Sequence, residues 1–193
     1  MDERRLARKT KRENFLLEAV DLLRIVIIVV VLVYLVPIFI VRPETVVGRS
    51  MLPTLQDGDQ GLTNIFTTLV FGIHRFDVVA VVEPDSGDQW VKRVIGLPNE
   101  TVAYRNGVLY INDQAMEEPF LNDEYITGTG KSRSTFTSDM AQITLGDNEY
   151  FLVGDNRPES RDSRERGPFQ RSDIIGKHFY VFYPNLRIVT NDD

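Results

Sequence analysis

Ser50, in Gly48-Arg49-Ser50-Met51-Leu52-Pro53-Thr54-Leu55, and Lys92, in Val91-Lys92-Arg93-Val94-Ile95-Gly96, are the residues of this chain best suited to act as a pair. A serine hydroxyl attacks a carbonyl only when a nearby base takes its proton. A lysine amine serves as that base near neutral pH only when it is uncharged, and burial between apolar walls lowers its pKa. Such an amine also needs a hydrogen-bonding partner, because an unsatisfied buried polar group costs free energy. The strand-like run 89–95 puts Trp90, Lys92 and Val94 on one face by alternation.

Taken singly, each feature has a plainer reading. Ser50 could cap a short helix, and Lys92 could snorkel at a sheet edge. A third segment runs Gly154-Asp155-Asn156-Arg157-Pro158-Glu159-Ser160-Arg161-Asp162-Ser163-Arg164-Glu165-Arg166-Gly167. Its composition suits a charged surface loop, and equally a buried polar network bracing a site.

The elements that must position these groups are of two kinds. Residues 25–41 form an uncharged run dominated by Ile, Val and Leu. At about 1.5 Å per residue this is nearly the thickness of a bilayer core, so a transmembrane anchor is expected there. The run is longer than the apolar stretch of a cleaved signal peptide and ends without a small-x-small site. Arg4, Arg5, Arg8, Lys9, Lys11 and Arg12 precede it, which puts residues 1–24 in the cytoplasm and residues 42–193 outside, at the cell membrane.

Beyond the run the pattern is mainly β. Short segments rich in β-branched and aromatic residues at 60–66, 77–83, 90–95, 101–105, 108–112, 150–154 and 178–183 are bounded by Gly, Pro, Asn and Asp. Asn106-Gly107 predicts a two-residue hairpin. Short helical turns are expected near 50–55 and 171–175, and the polar stretch 113–146 reads as a loop-rich insertion or small cap.

Composition narrows the function classes. The 193-residue chain has no cysteine, which excludes disulfides and thiolate chemistry. His74 and His178 are its only histidines, too few for a His-rich metal site, and both read as structural or surface residues. No metal or cofactor is expected. Residues 1–24 are net positive, while the remainder carries 15 Lys or Arg against 23 Asp or Glu, a balance that argues against nucleic-acid binding.

Together the segments resemble type I signal peptidases, the membrane-anchored Ser/Lys proteases. Ser50 to Leu55 resembles the nucleophile box of that family, Phe76-Asp77-Val78-Val79 its next strand, Val91 to Pro98 its lysine box, and Gly154 to Arg164 its Gly-Asp-Asn-Arg box. The resemblance implies Ser50 as nucleophile, Lys92 as general base, Ser160 as the lysine's hydrogen-bond partner, Asp162 and Arg164 as a supporting ion pair, and Gly154 as a small residue packed near the lysine. It also implies the Ser50 N–H as part of the oxyanion hole. Gly48 stands where some members carry a second, hydroxyl donor. Phe76 replaces a usual Gly, Asn99-Glu100 a common Gly-Asp, and Pro158-Glu159 a usual Asp-Asn.

The implied activity is removal of signal peptides, with small residues at the first and third positions before the cut, from exported preproteins. Val46, Met51, Leu55, Trp90 and Val91 are the candidates for its shallow apolar pockets, with core packing as their alternative. Two other functions compete: a self-cleaving Ser/Lys peptidase of the repressor type, which the apolar run argues against, and an anchored β-domain that binds exported peptides without cutting them.

Overall fold

The computed structural model describes residues 3–35 and 40–189, without the side chains of 3–14, 35 and 178. The chain divides into two units, residues 1–40 and 41–193. In the first, helix α1 spans Glu3–Val30 and a π-helical segment follows at Val31–Leu35.

Among the described residues the anchor expected over 25–41 does not form one α-helix. Only its first six residues belong to α1, whose preceding turns are studded with charge up to Arg24. Residues 36–39, Pro37 among them, lie outside the described residues, and Val41 already belongs to a strand. No helix among the described residues is long and apolar enough to cross a membrane. The side chains of 25–34 are nonetheless all exposed.

The second unit is β-rich. Its larger sheet is antiparallel and contains β1 (Val41–Thr45), β2 (Gln60–Asn64), β3 (Val78–Val82), β4 (Gln89–Gly96), β9 (Glu149–Val153), β10 (Phe169–Gln170), β11 (Ile174–Tyr183) and β12 (Arg187–Val189). The order is β1-β2-β11-β3-β4-β9-β10. One edge of β11 is shared: Ile174 to Lys177 pair with β3, and Phe179 to Val181 pair with β12. The Val-rich β3 is covered on both sides, as its sequence Val-Val-Ala-Val-Val demands. Val78 joins a core with Met51, Leu55 and Phe179, while Val79 and Val81 join another with Val94, Leu152 and Phe169.

The smaller sheet, in order β7-β6-β5-β8, comprises β5 (Thr101–Arg105), β6 (Val108–Ile111), β7 (Gln114–Met116) and β8 (Met140–Thr144). The β5–β6 hairpin turns at Asn106 (φ 53°) and Gly107 (φ 75°), both in the left-handed region that this tight turn requires. The stretch 113–146 is thus more ordered than a loop-rich insertion. It supplies two of the four strands, together with the short helices α3 (Asp123–Gly128) and α4 (Arg133–Phe136). Phe120, Ile126 and Phe136 from this stretch close a core with Ile95, Tyr104 and Phe151.

One further departure is local. The aromatic and β-branched run after β2 turns into helix α2 (Ile65–Phe71), because Asn64 accepts the Thr67 N–H at 2.9 Å and starts a helix. Residues 171–173 form the expected turn, as a 3₁₀ segment.

Candidate active site

The loop after β1 carries Ser50. Val46 N–H donates to Asp59 O at 2.8 Å and Gly58 N–H to Val46 O at 2.9 Å, which closes the base of the loop. At its tip Gly48 adopts φ +90° and donates its N–H to Asp57 Oδ1 at 2.8 Å. Residues 50–55 then coil into turns, with Leu55 N–H donating to Met51 O at 2.9 Å. Met51 and Leu55 are driven into the core and fix the loop from below.

Lys92 lies on β4, paired with Val79 of β3, one residue before β4 begins to pair with β9 at Arg93. It is 3% exposed, and its Nζ donates to Ser160 Oγ at 3.2 Å. The indole of Trp90, two residues away on the same strand, lies 5.4 Å from Nζ, as the alternation predicts. Burial pushes the amine down to about 8; Asp162 pulls it back up and Arg164 lowers it.

The segment 154–166 is the buried alternative of its two readings. Asp155, Asn156, Arg157, Ser160, Asp162 and Ser163 are all buried. Asp162 accepts from Arg164 Nε and Nη2, both at 2.8 Å, and from Gly154 N–H at 3.0 Å. Burial works against its charge, yet Arg164, the Ser160 hydroxyl and the Gly154 N–H hold its carboxyl below the usual range. Gly154 is needed for space: a Cβ there would fall 2.2 Å from Ser160 Oγ and 2.5 Å from Ser50 O.

A cleft of about 260 Å³ joins these parts. It is lined by the β1 end and its loop (Glu44 to Met51), by the start of β4 (Gln89 to Lys92), and by Glu159 and Arg161. Ser50 and Lys92 therefore share one cavity, although no hydrogen bond joins the hydroxyl to the amine, whose partner is Ser160. Of the five pocket candidates, Val46, Met51, Trp90 and Val91 line the cleft, whereas Leu55 is fully buried in the core.

Several contributors were not singled out by sequence. Arg93, fully buried, donates Nε and Nη2 to Asp155 at 2.9 and 2.8 Å, and Asp155 also accepts from Thr54 Oγ1 at 2.6 Å. Arg157 reaches Glu118, Tyr104 and Thr137 in the smaller sheet's region and donates Nε to Gly154 O at 3.1 Å. Asn156 contacts the Ser50 loop through two bonds, Nδ2 to Arg49 O and N–H to Ser50 O, each 3.0 Å. The signal for these was the density of charge in 154–166 beside an arginine within a valine-rich strand, but the partners are distant in sequence.

Phe76 has φ +70°, a conformation that favours glycine. Its ring packs on Phe120 at 5.2 Å, and its carbonyl accepts from Arg93 Nη1 at 3.0 Å. His74 is largely exposed and lies far in sequence from both candidates; its Nδ1 is 3.1 Å from Lys177 Nζ. The side chain of His178 lies outside the described residues. Among the described residues no cluster of His, Cys, Asp and Glu could hold a metal ion.

Residues 19–183 match the family model of signal peptidase, peptidase S26. The chain is 37% identical over 161 residues to signal peptidase IB of Staphylococcus aureus, covering 80% of this chain and 84% of that protein. It is 37% identical over 160 residues to signal peptidase I U of Bacillus subtilis, with 82% and 84% covered. A signal peptidase I structure from Enterococcus faecalis aligns with a TM-score of 0.49 at 35% identity, covering 54% of this chain and 95% of that one. On the extent of the family match and of the identity to both relatives, the chain belongs to the S26 signal peptidases and is a hydrolase of the type I class.

Proposed function

We propose that this chain removes signal peptides from exported preproteins as a serine endopeptidase with a Ser50–Lys92 dyad. The observation that carries the reading is Lys92: a 3% exposed amine with a depressed pKa, opening into the same cleft as Ser50. Its hydrogen bond to Ser160 meets the requirement that a buried amine be partnered.

The substrate enters as an extended segment between residues 44–47 and 89–92, so backbone hydrogen bonds set its register. Side chains at the first and third positions before the cut then point the same way, against Val46, Met51, Trp90 and Val91. Ser50 Oγ attacks the scissile carbonyl as its proton passes to Lys92 Nζ. The carbonyl oxygen takes the negative charge and is held by backbone donors. When the C–N bond breaks, the ammonium returns that proton to the leaving amine. Water then attacks the ester, losing a proton to Lys92, and the acid is released with Ser50 restored. Ser160 orients the amine, Asp162 and Arg164 hold Ser160's loop, and Gly154 leaves room for both.

Attachment to a lipid bilayer belongs to the same reading. Residues 25–34 expose an unbroken row of large apolar side chains, which water disfavours and lipid accepts. The basic residues before them suit a cytoplasmic N-terminus, with residues 42–193 outside.

The test is cleavage of a preprotein after a small-x-small site by wild type, Ser50→Ala and Lys92→Ala. Cleavage by wild type alone is expected. Undiminished cleavage by Lys92→Ala removes the assigned base, and binding without cleavage by wild type makes the chain a peptide-binding domain.

A further inference from the structure

We infer that Asn156 is a positioning residue for the oxyanion hole, aiming the Ser50 N–H at the substrate carbonyl. The inference rests on the Ser50–Lys92 reading above and adds a residue to it. Asn156 is 3% exposed, and one residue holds two consecutive carbonyls of the nucleophile loop: Arg49 O through Nδ2 and Ser50 O through its backbone N–H, both at 3.0 Å.

The first of these bonds governs the donor. Arg49 C=O and Ser50 N–H belong to one planar trans peptide, so fixing the direction of the carbonyl fixes the N–H in the opposite direction. Leu52 N–H also donates to Arg49 O, at 3.2 Å, so that oxygen is anchored twice. Among the described residues the Ser50 N–H donates no hydrogen bond, whereas the nearby Gly48 N–H is engaged by Asp57. An unpaired donor beside the candidate nucleophile, locked in one orientation, is the geometry that transition-state stabilisation needs.

Asn156 itself cannot swing. It follows Asp155, clamped by Arg93 and Thr54, and precedes Arg157, clamped by Glu118. The buried ion pairs on either side thus hold the residue that orients the peptide plane. Lys92 makes no hydrogen bond to Asn156, its partner being Ser160, and feels the neighbouring Asp155 only through its charge.

The test uses the full chain in detergent, as wild type, Asn156→Ala and Asn156→Asp. Asn156→Asp keeps the shape but loses the side-chain donor and sets an oxygen against Arg49 O. Two inhibitors of one small-x-small peptide sequence serve as probes: the aldehyde, whose carbonyl Ser50 converts to a tetrahedral adduct, and the corresponding alcohol, which forms none. For both variants kcat should fall about 10- to 100-fold, part of the loss seen when an oxyanion donor is removed. KM and alcohol binding should stay unchanged in both variants, and the pH midpoint set by Lys92 should stay unchanged in Asn156→Ala, whereas the added carboxylate of Asn156→Asp raises it; aldehyde binding should weaken by the same factor as kcat. Unchanged aldehyde binding, a pH midpoint moved in Asn156→Ala, or loss of the fold in both variants overturns the inference. Failure of the dyad reading is separate: it appears as full activity in Ser50→Ala or Lys92→Ala, whatever Asn156 does.

Discussion

Val79 of β3 stands between two buried lysines, Lys92 opposite it on β4 and Lys177 opposite it on β11. Each is 3% exposed. What separates them is the partner each has been given. Lys177 Nζ lies 3.0 Å from the buried carboxylate of Asp77 and 3.1 Å from His74 Nδ1, so its charge is matched where it sits. Among the described residues Lys92 Nζ hydrogen-bonds only a hydroxyl, and the carboxylates that act on its charge are already occupied, Asp162 by Arg164 and Asp155 by Arg93. The same residue type at the same depth in one sheet is therefore a structural ion pair in one place and a candidate base in the other. Burial alone does not make a lysine reactive; burial without a dedicated anion does.

The sharpest way to break this contrast is to replace both lysines in turn with methionine. Lys92→Met should lower single-turnover cleavage about 10³- to 10⁴-fold, the upper part of the range for a general base, with the fold retained. Lys177→Met leaves Asp77 buried without its cation and should cost about 3–5 kcal/mol in denaturant unfolding, with cleavage per folded molecule largely kept. Exchange of these two outcomes would mean that the assignments are reversed.

The contrast also predicts opposite signs for stability. Lys92 has a folded-state pKa of about 8 against 10.5 when free, so the unfolded chain holds its proton more tightly. That charged amine therefore penalises the fold at neutral pH, and the penalty fades as pH rises from about 8 toward 10.5. Lys92→Met should stabilise the protein at pH 7 by on the order of 3 kcal/mol, and by less at pH 10, as read by denaturant melts at both pH values. A smaller effect concerns geometry. Ser160→Ala removes the hydrogen bond that the amine makes among the described residues and should lower kcat about 10-fold with KM unchanged, measured over a range of peptide concentrations.

Legibility of the sequence follows the same divide between local and distant causes. The β5–β6 hairpin was readable because Asn106-Gly107 dictates its own turn, and β3 because five consecutive apolar residues need cover on both sides. The placement of Lys92 on one face with Trp90 was readable from alternation. Helix α2 was not: Phe66, Thr67, Thr68 and Val70 carry strand propensity, and the Asn64 cap with packing against the sheet overrides it. Nor was β1, whose Arg42, Pro43 and Glu44 lack a strand pattern and which is defined by pairing with β2.

The segment 154–166 marks the limit most clearly. Its residues have the composition of a solvated loop, and they are buried because their partners come from elsewhere: Arg93 for Asp155, Glu118 for Arg157, Arg49 and Ser50 for Asn156. Similarity to a family pointed to Ser160, Asp162 and Arg164 where physical reading of the residues left two alternatives open. Conversely, the apolar run 25–41 read as one helix, and the structure places 25–30 in α1, 31–35 in a π-helical segment and Val41 in β1.

The most direct measurement is the titration of Lys92 itself. With lysine labelled at Cε, its resonance can be assigned by its loss in Lys92→Met and followed by NMR in the uninhibited protein alongside the pH dependence of single-turnover cleavage. The account predicts that both curves share a midpoint near 8, cleavage rising as the amine loses its proton. An amine that titrates near its free value of 10.5, with cleavage already complete well below that pH, would contradict it.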